Sequence, residues 1–344
     1  MTTAPIRTAL LAYGMSGKLF HAPFLAAHAG FDLCAVLERN EPRMHRDYPG
    51  IRSHASLAEL LADSTIELVV VNTPSYTHFD LALGVLRAGK HVLLEKPVSA
   101  SVAKLQELLA VAQQMGCHLL AYQNRRWDTD FGAVRRVVEG ELLGRLIEVH
   151  FRFDRYKPAL NPKPFKEDPL PGSGLLYDLG PHLLDQALSL FGRPLSWHKT
   201  VGHTRAGTQV DDYFSLQLRY PAGLNVCLWS GLLIADPVPA YVLHGTLGSY
   251  HKGRTDPQEP QLLLGIKPLA PEYGRETPGQ EGRLTLADAA GNLATTPDPA
   301  PPGNYLGLFE AAFQTIRHGT PYPITPEQLL WQMEVLESAP EAEQ

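Results

Sequence analysis

The sequence predicts an α/β protein: an N-terminal doubly wound parallel sheet, followed by a C-terminal α+β domain with a large, mostly antiparallel open sheet. In the first third of the chain, short apolar runs alternate with periodic segments, as in buried parallel strands joined by helices. Several later segments instead alternate polar and apolar residues, which is typical of strands with one covered face. The 344 residues suffice for two cores.

The first domain is bounded at residues 1–123. Its predicted strands are residues 8–12, 31–37, 66–72, 92–95 and 119–123. The helices between them have recognisable ends. Ser56 and Glu59 form a capping box that opens a helix at 57–62, and Gly89 and Gly116 stand where glycine ends the helices 77–88 and 101–115. Repeated strand–helix–strand units with short connections predict the right-handed, doubly wound arrangement.

The second domain covers residues 124–344. Its predicted helices are residues 129–139, 174–190 and 306–317 and a last one from 326, and its predicted strands are 145–153, 213–220, 224–232 and 240–246. The turn at 221–223 joins two of these strands as a hairpin. Residues 255–302 are rich in Pro, Gly and polar residues, which predicts loops around minor strands at 261–266 and 283–286.

Composition excludes several classes of function. The formal net charge is −6 without long charged runs, so nothing indicates a nucleic-acid surface. No apolar run approaches the ~20 residues of a membrane span, and the apolar stretch near the N-terminus is too short for a signal peptide. Cys34, Cys117 and Cys227 cannot form a full disulfide framework and are predicted to be buried thiols. We therefore expect a soluble cytoplasmic protein without a membrane or nucleic-acid partner.

A glycine-rich turn follows the first strand. The predicted cofactor-binding residues in it are Ala12, Gly14, Met15, Ser16 and Gly17. Gly14 lets the backbone approach a pyrophosphate, Gly17 lets the next helix pack on the strand, and the helix N-terminus offers N–H donors to the phosphates. Ala12 replaces the first glycine of the usual pattern, so the turn needs a negative φ there. The pattern predicts a dinucleotide site.

The end of the second strand bears on the choice of cofactor. Glu38 lies where a carboxylate usually accepts the ribose hydroxyl hydrogen bonds of NAD, and its charge would repel a 2′-phosphate. Arg39 follows directly and can clamp that phosphate. If Glu38 faces the ribose, the site prefers NAD. If the carboxylate turns away, Arg39 and Asn40 form an NADP site.

Two further strand ends carry polar residues toward the same edge of the sheet. The first gives Asn72, Thr73 and Pro74, with His78 on the next helix as a contact or a helix-capping residue. The second gives Glu95 and Lys96, followed by Pro97. Ligands of open α/β sheets bind at the carboxyl ends of strands, so Lys96 is predicted to point into the cleft. The alternative is an ordinary surface lysine.

Asp178 and His182 are the acid/base candidates of the second domain. They lie four residues apart, so they share one face if the helix begins by Asp178. A carboxylate beside an imidazole orients it and keeps it basic, which suits a general acid/base near neutral pH. In the alternative, Asp178 caps the helix, Pro181 lies in its first turn and His182 is a core residue. Asp185 lies one turn beyond His182, but no third ligand has a spacing that indicates a metal, so none is predicted.

Together these motifs resemble the Gfo/Idh/MocA oxidoreductase family over nearly the whole chain. The segments that carry the resemblance are 14–23, 72–74, 88–92, 95–97, 122–128, 176–185, 304–305 and 317–319. The segments 14–23 and 124–128 look closest to the branch that contains NADP-dependent scyllo-inositol dehydrogenases. Many relatives have glycine at the position of Ala12. This difference bears on the affinity for the cofactor and not on its identity.

The resemblance implies hydride transfer between a nicotinamide cofactor and a sugar or cyclitol hydroxyl. Lys96, Asp178 and His182 match the three residues that carry the chemistry, and Asn124 joins the cofactor-binding candidates. The cofactor is NADP or NAD, with a lean to NADP from the resemblance. Five residues are candidates for the substrate side of the cleft: Trp127, Arg152, Arg155, Tyr156 and Tyr305. In the alternative, each of them packs against apolar neighbours or lies on the surface without a role in binding.

A homodimer or higher homo-oligomer is expected through the second domain. The resemblance implies that the open sheet makes this contact. An uncovered sheet face of this size is unusual on a monomer. The apolar residues predicted to supply alternate faces of the sheet are Leu216, Leu218, Val226, Leu228 and Val242.

The resemblance also implies two other functions, which relatives with the same fold have adopted. One is a glycosidase that uses tightly held NAD in a redox-elimination cycle, and the other is a sugar- or nucleotide-sensing regulator without catalysis. Because a sensor needs no acid/base set, the joint presence of Lys96, Asp178 and His182 favours an enzyme. The sequence does not identify the substrate among polyols, sugars and related carbonyl compounds.

Overall fold

The architecture is that of two sheets with helices around them. The computed structural model describes residues 4–38, 41–163 and 166–340. It contains a six-stranded and an eight-stranded sheet, which confirms the predicted α/β class with a parallel and a mostly antiparallel sheet. One compact unit comprises Met1–Asn124, Glu259–Tyr273 and Asn304–Pro326, and the other comprises Arg125–Gln258, Gly274–Gly303 and Glu327–Gln344. The division of the chain after residue 123 stays a prediction.

The first unit contains the six-stranded sheet, whose strands all pair in parallel. Its strands are β1 (Ile6–Leu10), β2 (Phe31–Leu37), β3 (Arg52–His54), β4 (Leu68–Val71), β5 (His91–Glu95) and β6 (Leu119–Tyr122). The order is β3-β2-β1-β4-β5-β6. All four residues of β4 are buried, as expected for a strand covered on both faces. The order reverses at β1, so the carboxyl ends of β1 and β4 border the crevice where such sheets bind ligands.

Most helices lie where the sequence predicts them, and α7, in a segment predicted as a strand, is the exception. They are α1 (Ala22–Ala27), α2 (Leu57–Ala62), α3 (His78–Arg87), α4 (Val102–Gln114), α5 (Thr129–Glu139), α6 (Leu175–Phe191), α7 (Gln258–Leu263), α8 (Leu306–His318) and α9 (Pro326–Glu337). Ser56 caps α2 and Ser101 caps α4, because their side chains accept hydrogen bonds from the backbone N–H groups of Glu59 and Lys104. The predicted capping box at Ser56 therefore acts as a cap, and Ser101 caps the helix predicted over 101–115.

The second unit contains the eight-stranded sheet. Its strands are β7 (Leu146–Arg152), β8 (Ser196–Gly202), β9 (Tyr213–Arg219), β10 (Asn225–Gly231), β11 (Tyr241–Gly245), β12 (Gly248–Lys252), β13 (Gly282–Ala287) and β14 (Leu293–Asp298). The order is β14-β13-β12-β11-β7-β10-β9-β8. Strands β7 and β10 pair in parallel, and the other neighbours pair in an antiparallel manner. The hairpin predicted at 221–223 joins β9 to β10.

The two faces of this sheet differ in chemistry. Leu216, Leu218, Val226 and Leu228 are all buried, and α6 packs on the strands that carry them. The five residues predicted to supply alternate faces are therefore divided unequally, because these four all face the core. Val242 lies on the opposite face, where its neighbours on β7 and β12 are His150 and His251, and it is half-buried. The outer face is thus a mixed polar and apolar surface.

Some elements differ from the sequence-based expectation. Residues 261–266 were expected to form a minor strand, but α7 occupies Gln258–Leu263. Asp256 explains this helix, because its carboxylate accepts the backbone N–H of Gln258 and so marks a helical start. The strands β3, β8, β12 and β14 were not predicted. The residues of β14 are almost all exposed, so its sequence lacks the alternation of apolar and polar residues that predicts a strand.

The cysteines are less buried than predicted. Cys34, Cys117 and Cys227 are half-buried and are not joined in disulfides. Burial raises the pKa of all three thiols, which disfavours reactive thiolates. In the described ranges no helix is long and apolar enough to cross a membrane.

Candidate active site

The turn after β1 has the glycine geometry that a dinucleotide requires. A Cβ at Gly17 would lie 2.2 Å from the Ala12 carbonyl oxygen and 2.9 Å from Asn72 Nδ2, so only glycine fits there. A Cβ at Gly14 would meet nothing within 4 Å, so the backbone there borders open space. The close contacts at Gly17 agree with the tight packing that the motif predicts there. The approach of a pyrophosphate to the Gly14 backbone stays a prediction.

Ala12 fits the turn because Asn72 holds its backbone. Asn72 Oδ1 accepts the Ala12 N–H at 3.0 Å, and Asn72 Nδ2 donates to the Ala12 carbonyl at 2.9 Å. Ala12 is not among the residues with positive φ, so the expected negative φ is observed. Asn72 is 6% exposed. Its visible role is to brace the glycine turn from the end of β4.

The residues after β4 form a short turn tied to the segment after β5. Thr73 and Thr77 are joined through their hydroxyls at 2.7 Å, and Pro74 precedes the 3₁₀ turn Ser75–Thr77. His78 is buried, with Nε2 2.9 Å from the Thr73 carbonyl and Nδ1 2.8 Å from the Pro97 carbonyl. Burial lowers the pKa of His78, against the opposing pull of these carbonyls. Both ring nitrogens thus lie within hydrogen-bond distance of a backbone carbonyl, and the neutral ring donates its single N–H to one of the two. The cofactor contact of His78 stays a prediction.

Glu95 ends β5 and is the centre of a hydrogen-bond network. Its Oε1 accepts from Ser16 Oγ at 2.7 Å and from His21 Nε2 at 3.0 Å, and its Oε2 accepts the Lys96 backbone N–H at 3.2 Å. Burial alone would raise the pKa of Glu95, but the hydrogen bonds from His21 and Ser16 outweigh it and the pKa is lowered. Lys96 is half-exposed, and its peptide bond to Pro97 is cis. The lysine thus follows a carboxylate that three donors hold in place.

Glu38 at the end of β2 is engaged by its own loop. Its Oε1 accepts the backbone N–H groups of Arg43 at 2.8 Å and Met44 at 3.1 Å, and its Oε2 accepts from Ser53 Oγ at 2.8 Å. The carboxylate therefore serves the start of the 3₁₀ turn Met44–Arg46. Arg39 and Asn40 lie outside the described residues, so their predicted part in cofactor binding is untested.

In the second unit, Asp178 and His182 both lie on α6. The helix begins at Leu175, earlier than the alternative with Pro181 in the first turn requires, and Pro181 lies inside it. Asp211 caps this helix, because its Oδ2 accepts the Leu176 N–H at 2.6 Å. A Cβ on Gly174 would lie 2.0 Å from Asp211 Oδ1, so glycine is required at the cap position. Asp178 is therefore not needed as the cap.

Asp178 and His182 differ in exposure. The side chain of Asp178 is 36% exposed and its Oδ1 lies 3.8 Å from Lys166 Nζ, whereas His182 is buried. Their spacing of four residues places them on one face of the helix. A partly exposed carboxylate and a buried imidazole on one helix face suit an acid/base pair at the rim of a site.

Asp185, on the same helix, has a structural partner. Arg126 Nε donates to Asp185 Oδ2 at 2.7 Å and its Nη2 donates to Oδ1 at 2.9 Å, in a buried bidentate pair. Arg126 Nη2 also donates to Gln328 on α9. Asp185 thus pairs with Arg126, and the described residues include no group of three or more His, Cys, Asp or Glu side chains that could hold a metal ion.

The remaining candidates are placed as follows. Asn124 is buried at the start of the 3₁₀ turn Asn124–Trp127, and the Trp127 carbonyl accepts from Gln258. Tyr156 is 60% exposed, and Tyr305 is fully buried against Phe20 and Phe24. Tyr305 therefore packs in the core of the first unit, whereas the exposed side chain of Tyr156 is accessible to a ligand.

Arginines gather around one ring of the second unit. The guanidiniums of Arg125, Arg155 and Arg254 lie 5.0, 4.8 and 4.0 Å from the ring centre of Phe153. Arg152 instead stacks on Trp229 and donates to Asp154. Such stacking fixes the guanidinium planes. Arg155 thus keeps a fixed position, whereas sequence reasoning gave only its residue type.

A parallel sheet of this strand order, with the glycine turn after its first strand and an open sheet in a second unit, defines the class of dinucleotide-dependent oxidoreductases with an N-terminal Rossmann domain. The chain belongs to the Gfo/Idh/MocA family. Residues 6–123 match its oxidoreductase family, NAD-binding Rossmann fold, and residues 131–251 match a Gfo/Idh/MocA C-terminal domain. The resemblance stated from the motifs is confirmed.

Similar proteins cover the chain almost end to end. An uncharacterized oxidoreductase of Schizosaccharomyces pombe is 36% identical over 97% of this chain and 96% of its own. The scyllo-inositol 2-dehydrogenase (NADP(+)) IolW of Bacillus subtilis is 32% identical over 98% of this chain and 93% of its own. The crystal structure of an oxidoreductase from Bacillus cereus, 32% identical, superposes with a TM-score of 0.89 over 96% of this chain and 95% of that one.

Proposed function

We propose that the protein is an NAD(P)-dependent dehydrogenase or reductase that acts on a secondary hydroxyl or carbonyl of a sugar, cyclitol or related polyol. The observation that carries the proposal is the arrangement on α6, where Asp178 and His182 share one helix face while Asp211, and not Asp178, caps the start of the helix. The oxidoreductase family and the scyllo-inositol dehydrogenase relative support the reaction type.

Each proposed catalytic group has a separate task. Oxidation of a secondary alcohol requires a base for the hydroxyl proton and a group that stabilises oxyanion character on that oxygen. His182 and Lys96 share these two tasks. Asp178 orients the imidazole and favours its protonated form after proton transfer. The nicotinamide cofactor supplies the hydride acceptor, because no side chain can accept hydride.

The residues of the first unit fit a dinucleotide. The open space at Gly14 admits a pyrophosphate to the backbone, and Met15 and Ser16 lead into the helical turn that follows. We propose NADP as the preferred cofactor. The engagement of the Glu38 carboxylate by Arg43, Met44 and Ser53 supports this preference, because it leaves that carboxylate little capacity for a ribose hydroxyl.

Cofactor preference is tested with Arg39→Ala. We expect the dissociation constant of NADPH to rise well over tenfold and that of NADH to change little, because a charge-assisted hydrogen bond contributes about 1.5–3 kcal/mol. Nicotinamide fluorescence measures both constants. Glu38→Gln is the matched control and should not improve NADPH binding. If Arg39→Ala changes neither constant and Glu38→Gln favours NADPH, the protein is an NAD enzyme.

A homodimer or higher homo-oligomer, built through the outer face of the eight-stranded sheet, is also proposed. Trp229, Val242 and the histidines near them give that face partly apolar character. Light scattering at micromolar protein is expected to give at least twice the chain mass of 37.8 kDa. Trp229→Asp should shift the assembly toward monomer. A mass of one chain for the unmodified protein would contradict the proposal.

The reaction is tested with a panel of polyols and sugars and both oxidised cofactors. We expect reduction of NADP for at least one cyclitol or sugar, followed by the absorbance of the reduced nicotinamide. Lys96→Met serves as the matched blank. Absence of turnover across the panel with both cofactors, in either direction, would contradict the proposed function.

A further inference from the structure

His21 is a buried histidine that the proposed chemistry does not use. It has no exposed surface, and its Nε2 lies 3.0 Å from Glu95 Oε1. Since a carboxylate only accepts, Nε2 carries the proton of this hydrogen bond. Nδ1 is buried and has no hydrogen-bond partner among the described residues. Among the described residues, the His21 ring therefore forms its hydrogen bond with one carboxylate, that of Glu95.

The backbone around His21 departs from an ordinary helix. Gly17–His21 forms a π-helical turn, closed by the Ala22 N–H donating to the Gly17 carbonyl. Such turns are rare and occur frequently at functional sites. The His21 ring lies 4.2 Å from the ring of Tyr122, so its orientation is also fixed by packing. The turn that ends the glycine motif thus holds an imidazole against the end of β5.

The carboxylate of Glu95 joins two parts of the proposed machinery. On one side it accepts from Ser16, which belongs to the glycine turn, and from His21, which closes that turn. On the other side it accepts the backbone N–H of Lys96. Because all three donors address one largely buried carboxylate, a displacement of that carboxylate would weaken the hydrogen bond that holds the Lys96 backbone.

We propose that His21 is a positioning residue for Lys96, acting through Glu95, and that the glycine turn and the lysine are set by one shared carboxylate. This inference rests on the proposed function of Lys96. It predicts that loss of the His21 donor affects the catalytic step more than cofactor binding. Displacements of about 1 Å can lower turnover on the order of 10²-fold.

The test compares His21→Leu, which removes the donor, with His21→Gln, which retains an N–H near the Nε2 position. A matched control is His28→Gln in the same unit, since His28 Nε2 also lies against a glutamate, 2.8 Å from Glu310 Oε2. If His21→Leu fails to fold, Ser16→Ala removes the other side-chain donor to Glu95 and takes its place in the exchange measurement alone, because Ser16 is also a cofactor-binding candidate.

The first readout is amide hydrogen exchange at Lys96, which needs no substrate. We expect His21→Leu to accelerate exchange of this amide about tenfold or more, with β5 unchanged, because an amide that loses its acceptor loses its protection. His21→Gln should restore much of the protection and His28→Gln should not alter it. Unchanged Lys96 exchange in His21→Leu, or uniform acceleration along β5, would overturn the inference.

The second readout is a double-mutant cycle with Lys96→Met. If His21 acts through Lys96, His21→Leu lowers kcat roughly 10- to 100-fold in the native background and has little further effect beside Lys96→Met. The dissociation constant of NADPH should stay within about threefold. Additive effects would overturn the inference. Wild-type turnover in Lys96→Met would instead refute the proposed role of Lys96, while the exchange measurement still decides whether His21 positions it.

Discussion

Substitution of Lys96 by methionine is expected to lower kcat by about 10²–10⁴-fold, the usual contribution of a general acid/base or charge-stabilising group. His182→Ala should have an effect of the same order. Cofactor binding should survive in both variants, because neither side chain is needed to close the glycine turn. Asp178→Asn keeps the shape and loses the charge, so it should reduce the rate more than the stability.

The measurement combines turnover, nicotinamide fluorescence and thermal unfolding. Ser189→Ala is a suitable control on α6, since its hydroxyl only donates to the Gln186 carbonyl within the helix. Its kcat should match the wild type. Wild-type turnover in His182→Ala would refute the acid/base assignment. Loss of folding in His182→Ala, with normal turnover in Asp178→Asn, would indicate that the histidine is only a core residue.

The second large effect concerns Gly14 and Gly17, which should respond to substitution in opposite ways. Gly17→Ala places a Cβ 2.2 Å from the Ala12 carbonyl oxygen, so we expect the free energy of unfolding to fall by about 1–3 kcal/mol or more and cofactor binding to be lost. Gly14→Val enters open space, so the fold should persist while NADPH binding weakens by well over tenfold, since the backbone can no longer approach a pyrophosphate.

Thermal unfolding and NADPH titration of both variants separate these outcomes. Gly50→Ala is the control, because a Cβ there also meets nothing within 4 Å and Gly50 is not part of the glycine motif. It should change neither quantity. If Gly14→Val binds NADPH as well as the wild type, the dinucleotide does not approach this turn.

Local signals were sufficient for most elements of the fold. Residues 31–37, 57–62 and 129–139 were predicted with the observed bounds, because an apolar run, a capping box and a terminal glycine each act over a few residues. β3 was missed because its residues Arg52, Ser53 and His54 are polar and largely exposed at the sheet edge. α7 was taken for a strand because its apolar residues form a short continuous run, which periodicity alone cannot assign.

The candidate site was predictable where a motif carries it. The glycine turn, the strand end at Lys96 and the Asp178–His182 spacing are sequence patterns with a direct physical meaning. The hydrogen bond of Asp211 to the start of α6 and that of His21 to Glu95 join residues 35 and 74 positions apart. No local pattern encodes such pairings, so they emerged only from the structure. The engagement of Glu38 by its own loop likewise depends on how residues 43–53 fold back.

The most direct test of the central claim is the stoichiometry between nicotinamide reduced and carbonyl product formed with an accepted polyol. The proposed dehydrogenase predicts one reduced nicotinamide for each carbonyl formed, and a rate lowered by about 10²–10⁴-fold in Lys96→Met. Product formed without net nicotinamide reduction would contradict the claim and indicate a redox-elimination cycle. Binding of cofactor and polyol without any product would equally contradict it and indicate a sensor.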